Sequence, residues 1–473
     1  MKLTILHTND THSYLDDMGK RAKKINEIRE KNLSEGNTTL LIGAGDTLSG
    51  DLYYNLYHGK KEAQLLNLLQ YDVMTLGNHE FDGGSHILSQ FIRDVNFPIV
   101  TSNINFKHDK LIAPLVEEKK ILPYMIKTLS SGVKIGIFGL TTLETPSYGF
   151  PSSETIFNDP FMVAREMIDK LIELESDIII LVSHLGDDID ILLAKEIDGI
   201  NVIVGGHTHV PIEENIVVND TIIVQAGAYG EFLGEVNLEY TDTGKIKLVN
   251  KFLHKVSENA VDERLESFLS DMKHEKNKLS SHKLFTVKDR IDGERIVSSK
   301  PFSTLGNVVA DAFFLEAIEQ GYQPDLAVIN GGGIRSSIPN GEISRVDLIK
   351  VLPFSKQLML LEIEGLFLFE ALKYGKFPQV SKLKLYYSEK QELKRVDVRK
   401  DDKWQPLQMR KKYRVVTNSF VGQGKDNYEA FKKGIILNEN IQEDVVALET
   451  YLTKLPQPIN VKYEERIKVG SVI

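Results

Sequence analysis

The residues best suited to chemistry lie in Gly77-Asn78-His79-Glu80, which Asp82 follows two residues later. The stretch comes after a short apolar run, Val73 to Leu76, where we expect a strand to end. An asparagine amide is an uncharged oxygen ligand for a hard metal ion, and a histidine is either a ligand or an acid/base group. Alone, such a stretch is as often an ordinary turn, so its meaning depends on the rest of the chain.

The same arrangement recurs along the first half of the chain. Apolar runs that predict strands are Leu3–Leu6, Thr38–Ile42, Val73–Leu76, Lys134–Leu140, Asp177–Val182, Asn201–Val204 and Thr221–Gln225. Just past the ends of five of them lie Asp10, His12, Asp46, Asn78, His184, His207 and His209. A single Asp or His in such a place is usually a turn residue or a helix cap. Repetition at several strand ends favours one shared site.

Helical patterns separate several of these runs, as around Ile25 and Ile28, from Ala63 to Leu69, and from Met162 to Leu174. Strands that alternate with helices predict an α/β fold with parallel strands and covering helices. Sites in open α/β sheets form where the strands deliver their carboxyl ends. The pattern therefore predicts that the polar residues meet at one edge of the sheet structure.

These side chains comprise two carboxylates, one amide and four imidazoles, which is too many for one ion. They suit two ions that share a bridging carboxylate, and ligation by oxygen and nitrogen without thiolates favours Mn, Zn, Fe, Co or Ni. Two cations roughly 3.5–4 Å apart can clamp a phosphoryl group and activate a water molecule. His79 then remains for acid/base or electrostatic work, with Asp82 close enough to orient its ring.

The motifs Asp10-x-His12, Gly45-Asp46, Gly77-Asn78-His79-Glu80, His184 and Gly206-His207-Thr208-His209 together resemble the calcineurin-like metallophosphoesterases. The resemblance implies a four-layer sandwich with two divalent metal ions. It implies that Asp46 bridges them, that His79 and Asp82 form a catalytic dyad, and that the ligands divide into two sets. One set is Asp10, His12, Asp46 and His209, and the other is Asp46, Asn78, His184 and His207. Many relatives have Gln where His209 stands, and His would shift the preference towards borderline ions.

The composition restricts the class of protein. A chain of 473 residues with 42% hydrophobic residues suggests two or three globular domains. The net charge of −10 argues against binding to nucleic acid, and no apolar run approaches the length of a membrane span. The absence of cysteine and of a recognisable leader sequence before Leu3 leads us to expect a cytoplasmic protein, a monomer or a weak homo-oligomer.

A second α/β pattern begins near Thr286. One strand, Leu326–Ile329, runs into Asn330-Gly331-Gly332-Gly333-Ile334-Arg335, and another, from Val415, ends near Phe420 before Asp426. Glycines allow backbone to approach a ligand closely, and an arginine offers a fork for phosphate or carboxylate. As a glycine loop this is a weak signal, and core packing is the ordinary explanation for a phenylalanine such as Phe354.

This half resembles the C-terminal domain of the 5′-nucleotidase family through Leu305-Gly306-Asn307, Asn330–Arg335, Leu352-Pro353-Phe354 and Asn418-x-Phe420-x5-Asp426. The resemblance implies a smaller α/β nucleotide-binding domain in which Phe354 and Phe420 sandwich a base. It also implies that Asn330, Gly332, Arg335 and Asp426 contact the substrate. We expect domains at 1–255 and 286–473, joined by a linker helix within 256–285.

Two departures from the family pattern concern the grip on the substrate. The family usually has an arginine shortly before Leu-Gly-Asn, whereas this chain has Ser299–Thr304 with Lys300, a point charge rather than a fork. The family's Gly-Gly-Asp-Gly is also altered to Gly424-Lys425-Asp426-Asn427. Both changes leave the metal chemistry intact but place the identity of the nucleotide in question.

The expected function is hydrolysis of nucleoside 5′-monophosphates at a dinuclear metal site. Within enzymes, the alternative is a hydrolase of 2′,3′-cyclic nucleotides, nucleotide sugars or dinucleotides, because the same metals serve either reaction. Outside enzymes, the alternative is a protein that binds nucleotide or metal without turnover. The presence of every ligand together with His79 and Asp82 speaks against that class.

Overall fold

A computed structural model describes residues 1–241, 243–293, 303–375 and 378–470 of the chain. They form two compact units, Met1–His274 and Glu275–Ile473. Lys300, which the sequence offers in place of the family's arginine, lies outside the described residues. In the described parts of the chain, no helix combines the length and the apolar character that crossing a membrane requires.

The first unit is an α/β sandwich. Its strands are β1 (Lys2–Thr8), β2 (Thr38–Gly43), β3 (Val73–Met74), β4 (Ile99–Val100), β5 (Ile104–Asn105), β6 (Ile121–Leu122), β7 (Tyr124–Thr128), β8 (Lys134–Thr141), β9 (Ile156–Phe157), β10 (Ile178–His184), β11 (Val202–Val204), β12 (Ile216–Val218), β13 (Thr221–Val224), β14 (Phe232–Tyr240) and β15 (Ile246–Lys255). Its helices are Met18–Ser34, Leu52–Tyr57, Lys60–Leu69, Gly84–Asp94, Ala113–Glu117, Thr145–Tyr148, Pro160–Glu173 and Asp187–Glu196, with 3₁₀ turns at His79–Phe81 and Val256–Glu258. A further helix, Glu263–Ser281, begins in this unit and continues past its limit at His274.

Two mixed sheets form the middle of this unit. The seven-stranded sheet has the order β15-β14-β1-β2-β3-β4-β6, and the six-stranded sheet has the order β12-β13-β11-β10-β8-β7. The predicted parallel strands are at the centre of each sheet, as in the pairings of β1 with β2 and of β10 with β11. Antiparallel strands extend the edges, as β14 does beside β1.

The hydrophobic side chains divide into layers that explain the sandwich. Ile5 and Val236 from one sheet pack with Ile180 and Val204 from the other, because alternate residues of a strand face opposite sides. Leu6 instead faces a helical layer that includes residues 60–69 and 84–94. A second helical layer, built from residues 160–173 and 187–196, covers the other sheet. The predicted four-layer arrangement is therefore confirmed.

Helix Glu263–Ser281 occupies the region where the sequence predicts a linker. Its residues Leu265, Leu269 and Met272 are buried in the core of the first unit, and they recur at helical spacing. The domain limits expected from the sequence remain a prediction.

The second unit is also mixed α/β. Its strands are β16 (Lys283–Val287), β17 (Leu326–Asn330), β18 (Gly341–Ser344), β19 (Leu358–Glu364), β20 (Pro378–Ser381), β21 (Leu383–Tyr387), β22 (Leu393–Lys400), β23 (Lys403–Pro406), β24 (Lys412–Asn418), β25 (Ile435–Asn438) and β26 (Ile467–Val469). Its helices are Thr304–Glu319, Arg345–Val351, Gly365–Tyr374, Ser419–Gly422 and Asp444–Thr453, with 3₁₀ turns at Gly331–Gly333 and Glu429–Lys433.

Two sheets organise this unit. One is five-stranded, in the order β20-β17-β24-β19-β25, and the other is four-stranded, in the order β23-β22-β21-β26. Val328 and Val415 of the first sheet share a hydrophobic core with Leu385 and Val396 of the second. In the first sheet, β17 and β24 are parallel neighbours, so Asn330 and Asn418 end at the same edge.

Glu62 provides a test of the packing in the first unit. Burial raises the pKa of this carboxyl group to about 7. The folded chain therefore holds a proton that the unfolded chain releases above its ordinary pKa, so Glu62 lowers the free energy of unfolding as the pH rises from about 4.5 to 7. Glu62→Gln removes this titration. In denaturant unfolding, the free energy of unfolding of the variant should rise by about 1–3 kcal/mol relative to that of the parent between pH 5 and pH 8. A difference that does not change with pH would contradict the buried, protonated state.

Candidate metal centre

The strand ends of both sheets contribute to one cluster. Asp10 follows β1, Asp46 follows β2 and Asn78 follows β3, whereas His184 is the last residue of β10 and His207 and His209 follow β11. His12 lies two residues beyond Asp10, and the Asp10 and His12 amides donate to the Gly45 and Asp46 carbonyls. Parallel strands place these residues at one edge of the sandwich, as the sequence predicts.

Six of the seven predicted ligands form two groups, within each of which the candidate ligand atoms lie within 4.8 Å of one another. The groups are Asp10, His12, Asp46 and His209, and Asp46, His184 and His207. Asp46 belongs to both. Its Oδ2 lies 3.1 Å from His184 Nε2 and 3.8 Å from His12 Nε2. The two groups contain the Asp and His members of the two sets that the sequence resemblance implies, and the division of ligands between two ions stays a prediction.

The donor atoms fit cations. His184 donates from Nδ1 to the Ala44 carbonyl at 2.7 Å, so in the neutral ring Nε2 carries a lone pair. The buried Asn78 Oδ1 has no hydrogen-bond partner within the described residues, and the buried His184 Nε2 faces Asp46 Oδ2. Nε2 of His12 and Nε2 of His209 lie 3.1 Å apart, and His209 Nε2 lies 3.3 Å from Asp10 Oδ1. Converging lone pairs of this kind are stabilised by a positive charge between them.

Electrostatics put the side chains in forms that can bind metals. Burial lowers the pKa of His12 to about 4, and burial together with His184 lowers that of His207 to about 4, so both rings are neutral. Although burial opposes ionisation of Asp46, His184 and His79 hold the pKa of that carboxyl well below its usual range. Burial likewise opposes the charged form of His184, but Asp46 and Asp10 raise its pKa to about 10. Without metal, a proton on His184 neutralises part of the charge that a cation would neutralise.

The backbone around the ligands is strained in a consistent way. Left-handed conformations, unusual for residues other than glycine, occur at five ligands: Asp10 (φ 49°), His12 (48°), Asp46 (50°), His207 (83°) and His209 (62°). Gly77 permits the closest approach, because a Cβ there would lie 2.2 Å from Asp46 Oδ1. Such strain persists where the surrounding structure holds it, and buried polar side chains do so here.

Glu80 is a buried polar side chain that holds two of the ligand loops, a role that the sequence did not predict. Its carboxylate is fully buried and accepts four backbone N–H groups: Oε2 from Asp46 at 2.8 Å and from Gly77 at 2.6 Å, and Oε1 from Thr47 at 2.7 Å and from Leu48 at 3.1 Å. One carboxylate therefore joins the loop that carries Asp46 to the loop that carries Asn78 and His79. Burial and the nearby Asp46 raise the pKa of Glu80 to about 7, whereas the N–H donors favour the ionised form, in which these bonds are charge-assisted and stronger than neutral ones.

Gln225 and Asn9 hold the other loops, and they too were missed. The Gln225 side chain accepts from the Val210 amide at 2.9 Å and donates to Thr208 Oγ1 at 3.2 Å, which fixes the loop of His207 and His209. Asn9 accepts from the Ala226 amide and donates to Asp10 Oδ2, both over short bonds. The segment after β13 thus supports ligands from both sheets. In the sequence, the sign of this role is that Gln225 is a polar residue at the end of another predicted strand.

The predicted dyad is formed beside the ligands. His79 Nδ1 lies 2.8 Å from Asp82 Oδ2, which also accepts from Ser49 Oγ at 2.7 Å. The His79 amide donates to Asp46 Oδ1 at 2.8 Å, and its ring centre lies 5.0 Å from that of His12. An imidazole oriented by a carboxylate in this way can stabilise charge or give a proton to a leaving oxygen.

The second unit brings the predicted substrate residues together. Asn330 Nδ2 donates to Asp426 Oδ2 at 2.9 Å, and a Cβ at Gly332 would lie 3.6 Å from the same oxygen. The guanidinium carbon of Arg335 lies 5.5 Å from the centre of the Phe354 ring. Lys356, which the sequence analysis missed, lies 5.7 Å from the ring centres of both Phe354 and Phe420. Its ammonium adds a positive charge between the two aromatic residues.

Comparisons with known proteins agree with both halves of this description. Residues 3–211 match the family model for calcineurin-like phosphoesterases, and residues 286–433 match the model for the 5′-nucleotidase C-terminal domain. A snake venom 5′-nucleotidase from Naja atra is 31% identical, over 96% of this chain and 96% of its own length. The crystal structure of a 5′-nucleotidase precursor from Thermus thermophilus superposes with a TM-score of 0.81 at 27% identity, covering 100% of both chains.

Another relative is longer. The trifunctional nucleotide phosphoesterase YfkN from Bacillus subtilis (strain 168) is 32% identical over 98% of this chain. This chain spans only 35% of the length of that relative.

We predict that Glu80→Gln weakens metal binding. The amide offers one carbonyl oxygen where the carboxylate offers two, so its NH₂ group would face two backbone donors and leave them unsatisfied. The affinity of the metal-stripped protein for Mn²⁺, measured by calorimetry, should fall about 10–100-fold, as for other residues that orient ligands.

Asp109→Asn is a matched control for this variant. Asp109 is a buried carboxylate of the same unit, and it also accepts four hydrogen bonds, from the Leu111 and Ile112 amides and from Ser85 and Thr155. None of these partners belongs to the ligand groups, so this variant should keep the affinity of the parent for Mn²⁺. Equal losses in the two variants would show a general loss of folding rather than a positioning role for Glu80.

Proposed function

This chain belongs to the 5′-nucleotidase family of calcineurin-like phosphoesterases, and from that premise we propose that it releases phosphate from nucleoside 5′-monophosphates. The observation that carries the proposal is the pair of ligand groups sharing Asp46, with the His79–Asp82 pair beside them. A metal-dependent phosphoesterase needs both positive charge for a phosphoryl group and an oriented acid/base group.

The residues for the metals are those named above. Asp10, His12, Asp46 and His209 would hold one ion, and Asp46, Asn78, His184 and His207 the other. When bound, two divalent cations such as Mn²⁺, Zn²⁺, Fe²⁺ or Co²⁺ neutralise charge on a phosphoryl group and lower the pKa of water. The chain itself keeps the donor atoms converged through Glu80, Gln225 and Asn9.

His79 supplies the acid/base function. Asp82 Oδ2 accepts a hydrogen bond from His79 Nδ1 and thereby fixes the tautomer and the angle of the ring. The bond from the His79 amide to Asp46 sets the distance between this ring and the ligand groups. We assign to His79 the stabilisation of the charge that builds up on the phosphoryl oxygens, or protonation of the nucleoside oxygen as it leaves.

Substrate recognition is assigned to the second unit. Phe354 and Phe420 offer aromatic faces, on which any base can stack. Arg335 and Lys356 give this cluster positive charge, which suits the ribose phosphate, and the pair of Asn330 and Asp426 offers polar atoms for base or ribose. Because Ser299–Thr304 contains no arginine, we assign the grip on the substrate phosphate to Arg335 and Lys356 among the described residues.

A second candidate function is hydrolysis of 2′,3′-cyclic nucleotides, nucleotide sugars or dinucleotides. The relative YfkN, a longer protein, is named a trifunctional nucleotide phosphoesterase, which makes an activity beyond monophosphate hydrolysis worth testing here. The same ligand groups serve either reaction, and the rates on a panel of substrates decide between them.

We also propose that the chain works in the cytoplasm as a monomer or a weak homo-oligomer. The absence of cysteine supports a reducing compartment, where disulfides are rare. Cell fractionation and light scattering on the purified chain would test the two statements.

We expect metal-stripped protein resupplied with Mn²⁺ to release phosphate from nucleoside monophosphates. His79→Ala should lower kcat by about 10²–10⁴-fold, because it removes an acid/base group, while the Mn²⁺ content stays that of the parent. Turnover of cyclic or pyrophosphate substrates alone would replace the proposed specificity with the second candidate. If the protein binds metals but turns over none of the substrates, the proposal that it is an enzyme is wrong.

We expect Phe354→Ala to separate recognition from chemistry. The variant loses one aromatic face for the base, and base–aromatic stacking contributes about 1–3 kcal/mol of binding free energy. KM for nucleoside monophosphates should therefore rise. For ribose 5-phosphate, which has no base, KM and kcat should stay near those of the parent. Steady-state kinetics with both substrates makes the comparison, and an equal loss on both would argue against stacking at Phe354.

A further inference from the structure

The charge of the chain is unevenly distributed. Residues 382–412, which contain strands β21, β22 and β23, include eleven lysines and arginines and five acidic residues, a net charge of +6. The whole chain has a net charge of −10, so the rest of it carries −16. An acidic protein that concentrates cations on one small sheet attracts anions to that sheet.

A cavity of about 270 Å³ lies beside this basic sheet, within the second unit. Its walls include Phe314 from helix Thr304–Glu319, Lys382 before β21, Arg399 from β22 and Trp404 from β23. None of the residues assigned to substrate recognition lines it. The volume is below that of most drug-sized ligand sites, so it suits a small ligand.

The cavity keeps positive charge after its internal pairs are counted. Its acidic residues, Asp311 and Glu464, both pair with Arg466, at 2.7 and 2.6 Å. Within the described residues, Arg399 forms an ion pair with the side chain of Asp402 alone, which is 91% exposed and so contributes little screening inside the cavity. No carboxylate of the described residues forms an ion pair with the Lys382 ammonium group. Two carboxylates and three cations line the cavity, so its lining keeps a net charge of +1, which depends on Lys382 and Arg399.

Aromatic rings hold these cations in place. The Lys382 ammonium lies 5.2 Å from the centre of the Phe314 ring. The Trp404 indole lies 4.5 Å from the ammonium of Lys384 and 5.9 Å from the guanidinium carbon of Arg399. A cation over an aromatic face is attracted to the ring yet keeps its outward donors for a ligand. The rings also form apolar walls, which weaken the screening of charge by water.

We propose that this cavity binds a small anion with two or more phosphate groups, of the size of inorganic pyrophosphate or the phosphate chain of a nucleotide. Two separate cations, one of them a guanidinium fork, fit a ligand with neighbouring phosphates better than a ligand with a single carboxylate. The site is distinct from the cluster of Arg335, Phe354 and Phe420, and it is independent of the catalytic proposal.

The chain contains a reporter for this site, because Trp404 is its single tryptophan. We would titrate the full chain with pyrophosphate and follow both the fluorescence of Trp404 and the heat of binding. The fluorescence should change in a saturable way, and the affinity should fall as the salt concentration rises. ATP should compete with pyrophosphate, whereas adenosine, which has no phosphate, should not.

Variants separate this site from general attraction. Lys382→Gln and Arg399→Gln should each weaken binding about tenfold, the loss expected for one charge-assisted contact. Lys400→Gln removes the same charge from the same strand without touching the cavity, so it should bind like the parent. Phe354→Ala alters only the substrate cluster and should leave the Trp404 signal unchanged.

Three results would overturn the proposal. One is the absence of any saturable change in fluorescence, with no heat of binding that depends on Lys382. The second is an equal loss of affinity in Lys382→Gln and Lys400→Gln, which would show diffuse attraction to the sheet. The third is loss of the signal in Phe354→Ala, which would assign the anion to the substrate cluster. Since the readout is binding at Trp404, it is independent of whether nucleotides are hydrolysed.

Discussion

The candidate metal centre depends on one buried carboxylate. Asp46 is the residue common to both ligand groups, and its oxygens face His184, His12 and the His79 amide. A carboxylate shared in this way is costly to bury unless positive charge surrounds it. Protonated His184 supplies some of that charge, and divalent cations would supply the rest. The site is therefore arranged around a charge that the fold alone does not neutralise.

Positioning of Asp46 requires elements that are far apart in the sequence. The strands of one sheet bring Asp10, Asp46 and Asn78 to the edge, and the strands of the other bring His184 and His207. Glu80 then joins two loops through four backbone bonds, and Gln225 fixes a third. The ligands keep left-handed backbone conformations because this network holds them. The sandwich is thus the frame, and the buried polar side chains set the final geometry.

The sequence predicted the ligand types and the fold because both follow from local patterns. A short apolar run followed by Asp, Asn or His is visible without a partner strand, and this pattern alone indicates the seven candidate ligands. Glu80, Gln225 and Asn9 were missed because their roles lie in bonds to distant backbone groups, which no spacing reveals. Lys356 was missed because a lysine two residues after Phe354 looks like any solvent-exposed charge. The antiparallel strands β14 and β15 at one side of the seven-stranded sheet were also beyond the alternation of strands and helices.

The most direct test of the account is the number of Mn²⁺ ions bound per chain, measured by calorimetry on metal-stripped protein. Two groups that share Asp46 predict two ions in the parent and one in either His209→Ala or His207→Ala, since each removes a ligand from one group only. Asp46→Asn should lose tight binding of both ions, because it weakens both groups at once. If Asp46→Asn retained one ion at the affinity of the parent, the two groups would be independent and the central role given to Asp46 would be wrong.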